Sequence, residues 1–180
     1  TAQDLLPHFR DGSGNESLLV SPEHCYLPQG VTDKDGFDSI VTITAINLQS
    51  PSEMQSVCVN NYVQGVYAST KAVYLYGSDY QSDQAFIHQF SLADQGVSYQ
   101  ASANIPGHFG WGQSQLRFSE FQEHLRVVTT ARTEDKADRF EHQLFVLKAN
   151  PAEKSLAVVS QLPNKAQPKA IGKPNEDIYA

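Results

Sequence analysis

The stretch VQGVYASTKAVYLYGSD, residues 63–79, decides the fold, because its pattern returns as SQLRFSEFQEHLRVVTTAR at residues 114–132. Each stretch holds two short runs rich in β-branched and aromatic residues around a tight polar link, the mark of a strand pair. In the first, GVYAS (65–69) and AVYLYGS (72–78) flank Thr70-Lys71; in the second, SQLRFSEF (114–121) precedes HLRVVTTA (124–131). A strand pair that returns is half of a repeated unit.

Working outward, SIVTITAINL (39–48) and MQSVCVN (54–60) read as a hairpin across QSPSE, where Pro51 presets the turn. The series restarts with AFIHQFSL (85–92), an Asp94-Gln95-Gly96 turn and VSYQASANIPG (97–107). It starts a third time with HQLFVLKA (142–149) and KSLAVVSQLP (154–163). Ile46, Phe90 and Leu147 fall in register, separated by 44 and then 57 residues, with the extra length in polar segments such as RTEDKADRFE. Val73 aligns with Leu125 and Tyr74 with Arg126. The expected units are residues 39–80, 85–131 and 142–180, so 31–180 reads as a partial β-propeller behind an irregular lead-in at 1–30. The predicted class is therefore all-β, with repeated four-stranded antiparallel sheets forming about three blades; a β-sandwich is the alternative.

The 180 residues are enough for one domain with a core, and 40% hydrophobic with 18% charged residues is a globular composition. No apolar run reaches the length of a membrane-spanning helix. A net charge of −7, from 20 acidic and 13 scattered basic residues, argues against a nucleic-acid or anionic-lipid partner. Cys25 and Cys58 lack any C-x-x-C spacing, which excludes a cysteine-based zinc site and leaves two free thiols or one disulfide.

The runs TITAINLQSPSEMQS, GVYASTKAVYLYGSD, IHQFSL and IPGHFGWGQSQLRFSEFQEHLRVVTTA resemble a bacterial and archaeal family of secreted proteins with a C-terminal β-propeller domain. Phe118, Ser119 and Glu120, followed by Leu125, Arg126, Val127, Thr129 and Thr130, carry the most recognisable segment, and the resemblance spans residues 24–180. It implies a secreted or cell-envelope location. It also implies that Asp177–Ala180 begins a strand that runs into further blades, and that Thr1–Gly30 ends a preceding region. Three units do not close a ring of about four to eight blades, so the open sheet edges call for self-association or a protective loop. The resemblance transfers no catalytic set.

Several local patterns bear on chemistry. Asp33, Asp35 and Asp38 around Gly36 form an oxygen-rich loop of the kind calcium takes, but Val31 and Thr42 stand where an EF-hand needs ligands, so a plain turn competes with a metal site. The six histidines, at 8, 24, 88, 108, 124 and 142, show no metalloprotease spacing; His88 shares the phase of Phe86 and Phe90 and reads as a buried, hydrogen-bonded ring. Ser119-Glu120 has neither a nucleophile elbow nor an adjacent base, and no catalytic residue is assigned. GHFGWG (107–112) places Phe109 and Trp111 among three glycines, the one loop where aromatic rings face either a ligand or a blade interface. The expected function is a binding scaffold for a protein, peptide or carbohydrate, with no cofactor. A hydrolase or lyase acting at the propeller mouth, or a brace for another domain, is the alternative.

Overall fold

The computed structural model describes residues 2–28, 31, 39–93, 96–110, 112–133, 140–173 and 175–178. Their regular structure is strand, apart from short 3-10 turns at Ala2–Leu5, Pro22–His24 and Ser114–Arg117. A small hairpin, β1 (His8–Arg10) with β2 (Glu16–Leu18), opens the chain. β3 (Cys25–Tyr26) lies parallel to β5 (Met54–Asn60), which pairs antiparallel with β4 (Ile40–Ile46), giving a first sheet in the order β3-β5-β4.

Two antiparallel four-stranded meanders follow. The second sheet is β6 (Gly65–Ala68), β7 (Ala72–Asp79), β8 (Gln84–Ala93) and β9 (Gly96–Pro106). The third is β10 (Phe118–Phe121), β11 (His124–Arg132), β12 (Phe140–Asn150) and β13 (Ser155–Leu162). One parallel contact, Ser155 with Ser102, joins β13 to β9, so the two meanders run on as a single eight-stranded sheet folded back on itself.

The three sheets stack face to face, and the middle one is apolar on both sides. On β7, Ala72, Tyr74 and Tyr76 face the third sheet, while Val73 and Leu75 face the first. The core between second and third sheets adds Ile87, Ala103, Ile105, Phe109, Leu125, Val127, Phe145 and Leu147. The core between first and second adds Val57, Val59, Phe90, Val97 and Tyr99, with Val41, Ile43 and Ala45 behind them. Each large apolar side chain so buried contributes about 1.5–3 kcal/mol. On β9, Tyr99 and Ala101 sit two apart yet face opposite cores. The register shift opposite Gln89/Phe90 leaves Gln100 as an extra residue and turns the strand over.

The repeat alignment is visible in space. Val73 and Leu125 both face the preceding sheet, as do Phe90 and Leu147, whereas Tyr74 faces the following sheet and Arg126 the open side. The sheets are phased two strands later than the units read from the sequence. Asp79–Gln84, taken there as a unit boundary, is a tight turn inside the second sheet, and the chain changes sheet at 61–64 and 107–117.

Cys25 and Cys58 form a disulfide, directly opposite each other on paired parallel strands. This closes the alternative that the sequence left open and fastens the lead-in to the first sheet. Beside it, Tyr26 stacks on Tyr99, and the Lys154 ammonium lies over both rings.

Candidate functional site

The GHFGWG loop begins where β9 leaves the second sheet. Gly107, at φ 88°, lets the backbone approach β11 so closely that a Cβ would meet the Thr130 carbonyl oxygen at 2.9 Å. His108 then pairs with Thr130 through two backbone bonds of 2.8 and 2.9 Å. The Phe109 amide donates to Ser78 Oγ at 3.1 Å, and the Tyr80 hydroxyl donates to the Gly110 carbonyl at 3.2 Å. Phe109 is fully buried, 5.1 Å from the Tyr76 ring and 4.8 Å from Phe118, so its side chain belongs to the core between two sheets. Trp111 lies outside the described residues, as do Asp33, Asp35 and Asp38. Among the described residues no cluster of three or more metal-ligating side chains occurs.

Behind this loop runs a buried polar chain that the sequence did not single out. Arg117, whose side chain is 3% exposed, donates to Thr130 Oγ1 at 2.8 Å, to Asp177 Oδ1 at 3.0 Å and to the Ile178 carbonyl. The Glu176 carbonyl can only accept, so His142 Nε2 donates to it at 2.7 Å, and Nδ1 of the neutral ring accepts from the Thr130 hydroxyl at 2.9 Å. The acceptor-only carbonyl at the far end sets these directions, and the chain holds residues 176–178 against the third sheet. His108 Nδ1 accepts from the Gly110 amide, while Nε2 is buried without a partner among the described residues. Burial pushes the His108 pKa down, with Arg117 and Arg132 adding to the effect and Asp83 and Asp177 opposing it.

At the opposite end of the same two sheets, the Ser69–Lys71 tip and the Glu120–Glu123 tip enclose an open cleft of about 500 Å³. Glu120 is fixed from behind: Gln89 Nε2 donates to the Tyr74 hydroxyl at 3.2 Å, and that hydroxyl donates to Glu120 Oε2 at 3.0 Å. Burial, together with the Glu120 charge, drives the Tyr74 pKa far upward, so the phenol stays a donor. The Glu120 amide donates to the Tyr67 hydroxyl at 3.2 Å. Phe121 stands 59% exposed at the lip, with the Arg126 guanidinium 5.4 Å from its centre.

The turn beyond it places Gln122 and Glu123 at φ 49° and 63°. Two-residue hairpins of that geometry favour Asn-Gly, so two full side chains are carried there at a conformational cost. Chemically the cleft gathers carboxylates, a lysine, hydroxyls and an exposed ring, a set suited to hydrogen bonding and stacking. Among the described residues, a larger cavity of about 840 Å³ between the β4–β5 turn and Gly96 is lined by one charged side chain, Glu53, and no aromatic ring.

The sequence offered little signal for the cleft. Glu120 stood out as part of a recognisable segment, but its tie to Tyr74, 46 positions away, exists only once two meanders face each other. The structure therefore separates Phe109, at one end of the stack, from the cleft at the other.

Four-stranded antiparallel sheets, repeated in sequence and packed face to face with equivalent residues on equivalent faces, are the blades of a β-propeller. The chain belongs to the family described as the beta propeller domain, whose model matches residues 1–180. No curated protein and no solved structure matches it. Among the described residues no helix is long and apolar enough to cross a membrane.

Proposed function

We propose that this chain is a binding scaffold, exported to an oxidising compartment, whose cleft between the 69–71 and 120–123 tips receives a polar ligand. The observation that carries the reading is the Gln89–Tyr74–Glu120 relay, which holds one carboxylate at the cleft wall by a hydrogen bond from a buried phenol that itself accepts from the Gln89 amide. A wall group fixed in this way is already organised for a ligand, and preorganisation lowers the ordering cost of binding. The Cys25–Cys58 disulfide supports the exported location, because disulfides persist outside reducing cytosol.

Of the partner classes a propeller scaffold serves, a carbohydrate makes the fullest use of this cleft. Its hydroxyls donate to Glu120 and Glu123 and accept from Lys71, and a sugar face stacks on the exposed Phe121 ring.

The test is a titration of the isotopically labelled chain with soluble glucose and N-acetylglucosamine oligosaccharides, and separately with a basic peptide, followed by amide chemical shifts. The expected result is movement of amides at 69–71 and 120–123 with a saccharide, lost in Glu120→Ala. Movement there with the peptide alone would keep the scaffold and replace the ligand class. Silence of those amides throughout would remove the cleft from the reading.

A further inference from the structure

We propose that β4 is a self-recognition edge, through which two copies of this chain pair antiparallel about a two-fold axis at Ile43. The inference is independent of the cleft. β4 ends the first sheet in the order β3-β5-β4, so among the described residues its far edge has no strand partner. Natural edges are usually guarded by lysine, proline, a bulge or a charge that turns pairing away. Residues 39–48 contain none of these residues, and the register against β5 is unbroken from Ile40 opposite Asn60 to Ile46 opposite Met54.

What selects a second copy as the occupant is the symmetry of the strand itself. Ile40-Val41-Thr42-Ile43-Thr44-Ala45-Ile46 reads nearly the same in both directions. A two-fold contact requires that residue i meet j and that j meet i. Pairing centred on Ile43 sets Ile40 against the partner's Ile46 and Thr42 against the partner's Thr44. On the other face it sets Val41 against the partner's Ala45 and Ile43 against its own counterpart. Cross-strand pairs of β-branched residues, threonine with threonine among them, are favourable neighbours in antiparallel sheets. Val41, Ile43 and Ala45 already face the inner core, so the pairing extends that apolar layer across the axis. On the outer face it covers Ile46, which is 54% exposed. The product is one six-stranded sheet running β3-β5-β4 and back through the second copy.

The experiment measures molar mass by light scattering across a dilution series of the full chain. The expected mass falls from twice the monomer value towards the monomer value on dilution. Two variants test the register. Thr42→Lys with Thr44→Lys sets lysine against lysine across the axis and yields monomer at every concentration. Thr42→Glu with Thr44→Lys sets each glutamate against a partner lysine and retains the dimer. Both lose the 2.9 Å contact between Thr44 and Ser56 equally, so a general loss of strand stability does not separate them. A wild-type chain that is folded and monomeric throughout, or two variants with the same mass, overturns the proposal. Should either variant fail to fold, hydrogen exchange of the wild type decides: β4 amides whose protection rises with concentration support the pairing, and concentration-independent exchange overturns it.

Discussion

Tyr26 and Tyr99 stack with ring centres 4.0 Å apart and planes inclined by 10°, one from the lead-in and the other from the second sheet. Lys154, on the β12–β13 turn, caps the pair at 5.2 and 5.5 Å. Through these three side chains all three sheets meet at one point, since the Lys154 carbonyl also accepts from the Ser102 amide at 3.0 Å.

Replacing Lys154 by Met keeps the aliphatic stem and removes the cation. The expected loss is about 0.5–1 kcal/mol of unfolding free energy, the value of an exposed cation–π contact. Tyr99→Leu alone costs more, because ring stacking is lost as well. In the double variant the two losses are less than additive, as contacting residues require. Urea unfolding of the four proteins checks this.

Breaking the Cys25–Cys58 bond frees a segment with a sequence separation of 33 residues. The expected destabilisation is about 3 kcal/mol. Denaturation midpoints with and without a thiol reductant measure it. The Cys25→Ala, Cys58→Ala variant starts from the reduced value and shows no response to reductant.

His88 gives a pH dependence with a defined sign. Asn61 Nδ2 donates to His88 Nε2 at 3.1 Å, because Asn61 Oδ1 is already used by the Tyr62 amide, so protonating Nε2 would set two donors face to face. Burial pushes the His88 pKa down to about 4. The unfolded chain therefore takes up this proton near pH 6.5, and the folded chain only near 4. The stability contribution is complete above pH 6.5 and falls as pH drops through that window, by at most about 3 kcal/mol. His88→Phe flattens most of the slope in a pH series of unfolding free energies. His108, whose pKa burial also lowers, contributes to the remainder.

Arg117→Ala removes the cation from Thr130 and Asp177. Asp177 is 34% exposed on its side chain and is rehydrated, so the cost is about 2 kcal/mol, below that of severing a fully buried pair. Residues 176–178 lose their anchor, and limited proteolysis cuts there earlier than in the parent. Arg117→Lys restores charge without the planar fork and recovers only part of the protection.

Much of the fold was legible because strands of this kind announce themselves locally. The alignments of Val73 with Leu125 and of Phe90 with Leu147 survive as equivalent faces of stacked sheets, since period-two burial fixes which face a side chain takes. The phase of the sheets was less legible: Asp79–Gln84 and the 107–117 segment carry similar turn residues, and only packing decides which one stays within a sheet. The turnover at Gln100 left Tyr99 and Ala101 looking like neighbours on one face. Of the aromatic loop, Phe109 was noticed for its glycines, yet Gly107 and Gly110 serve the approach to Thr130 and Arg117. The Tyr74–Glu120 contact joins two meanders and has no trace in either segment alone.

The distribution of main-chain bonds makes the molecule anisotropic. Between the second and third sheets, backbone bonds cross at Ser102 with Lys154 and at His108 with Thr130. Among the described residues, the first and second sheets meet through side chains alone. Like a layered crystal, the protein has a weak plane, between β4–β5 and the second sheet. Tension applied across the stack would open it there, peeling away the first sheet with its disulfide-pinned lead-in while the other two stay clasped.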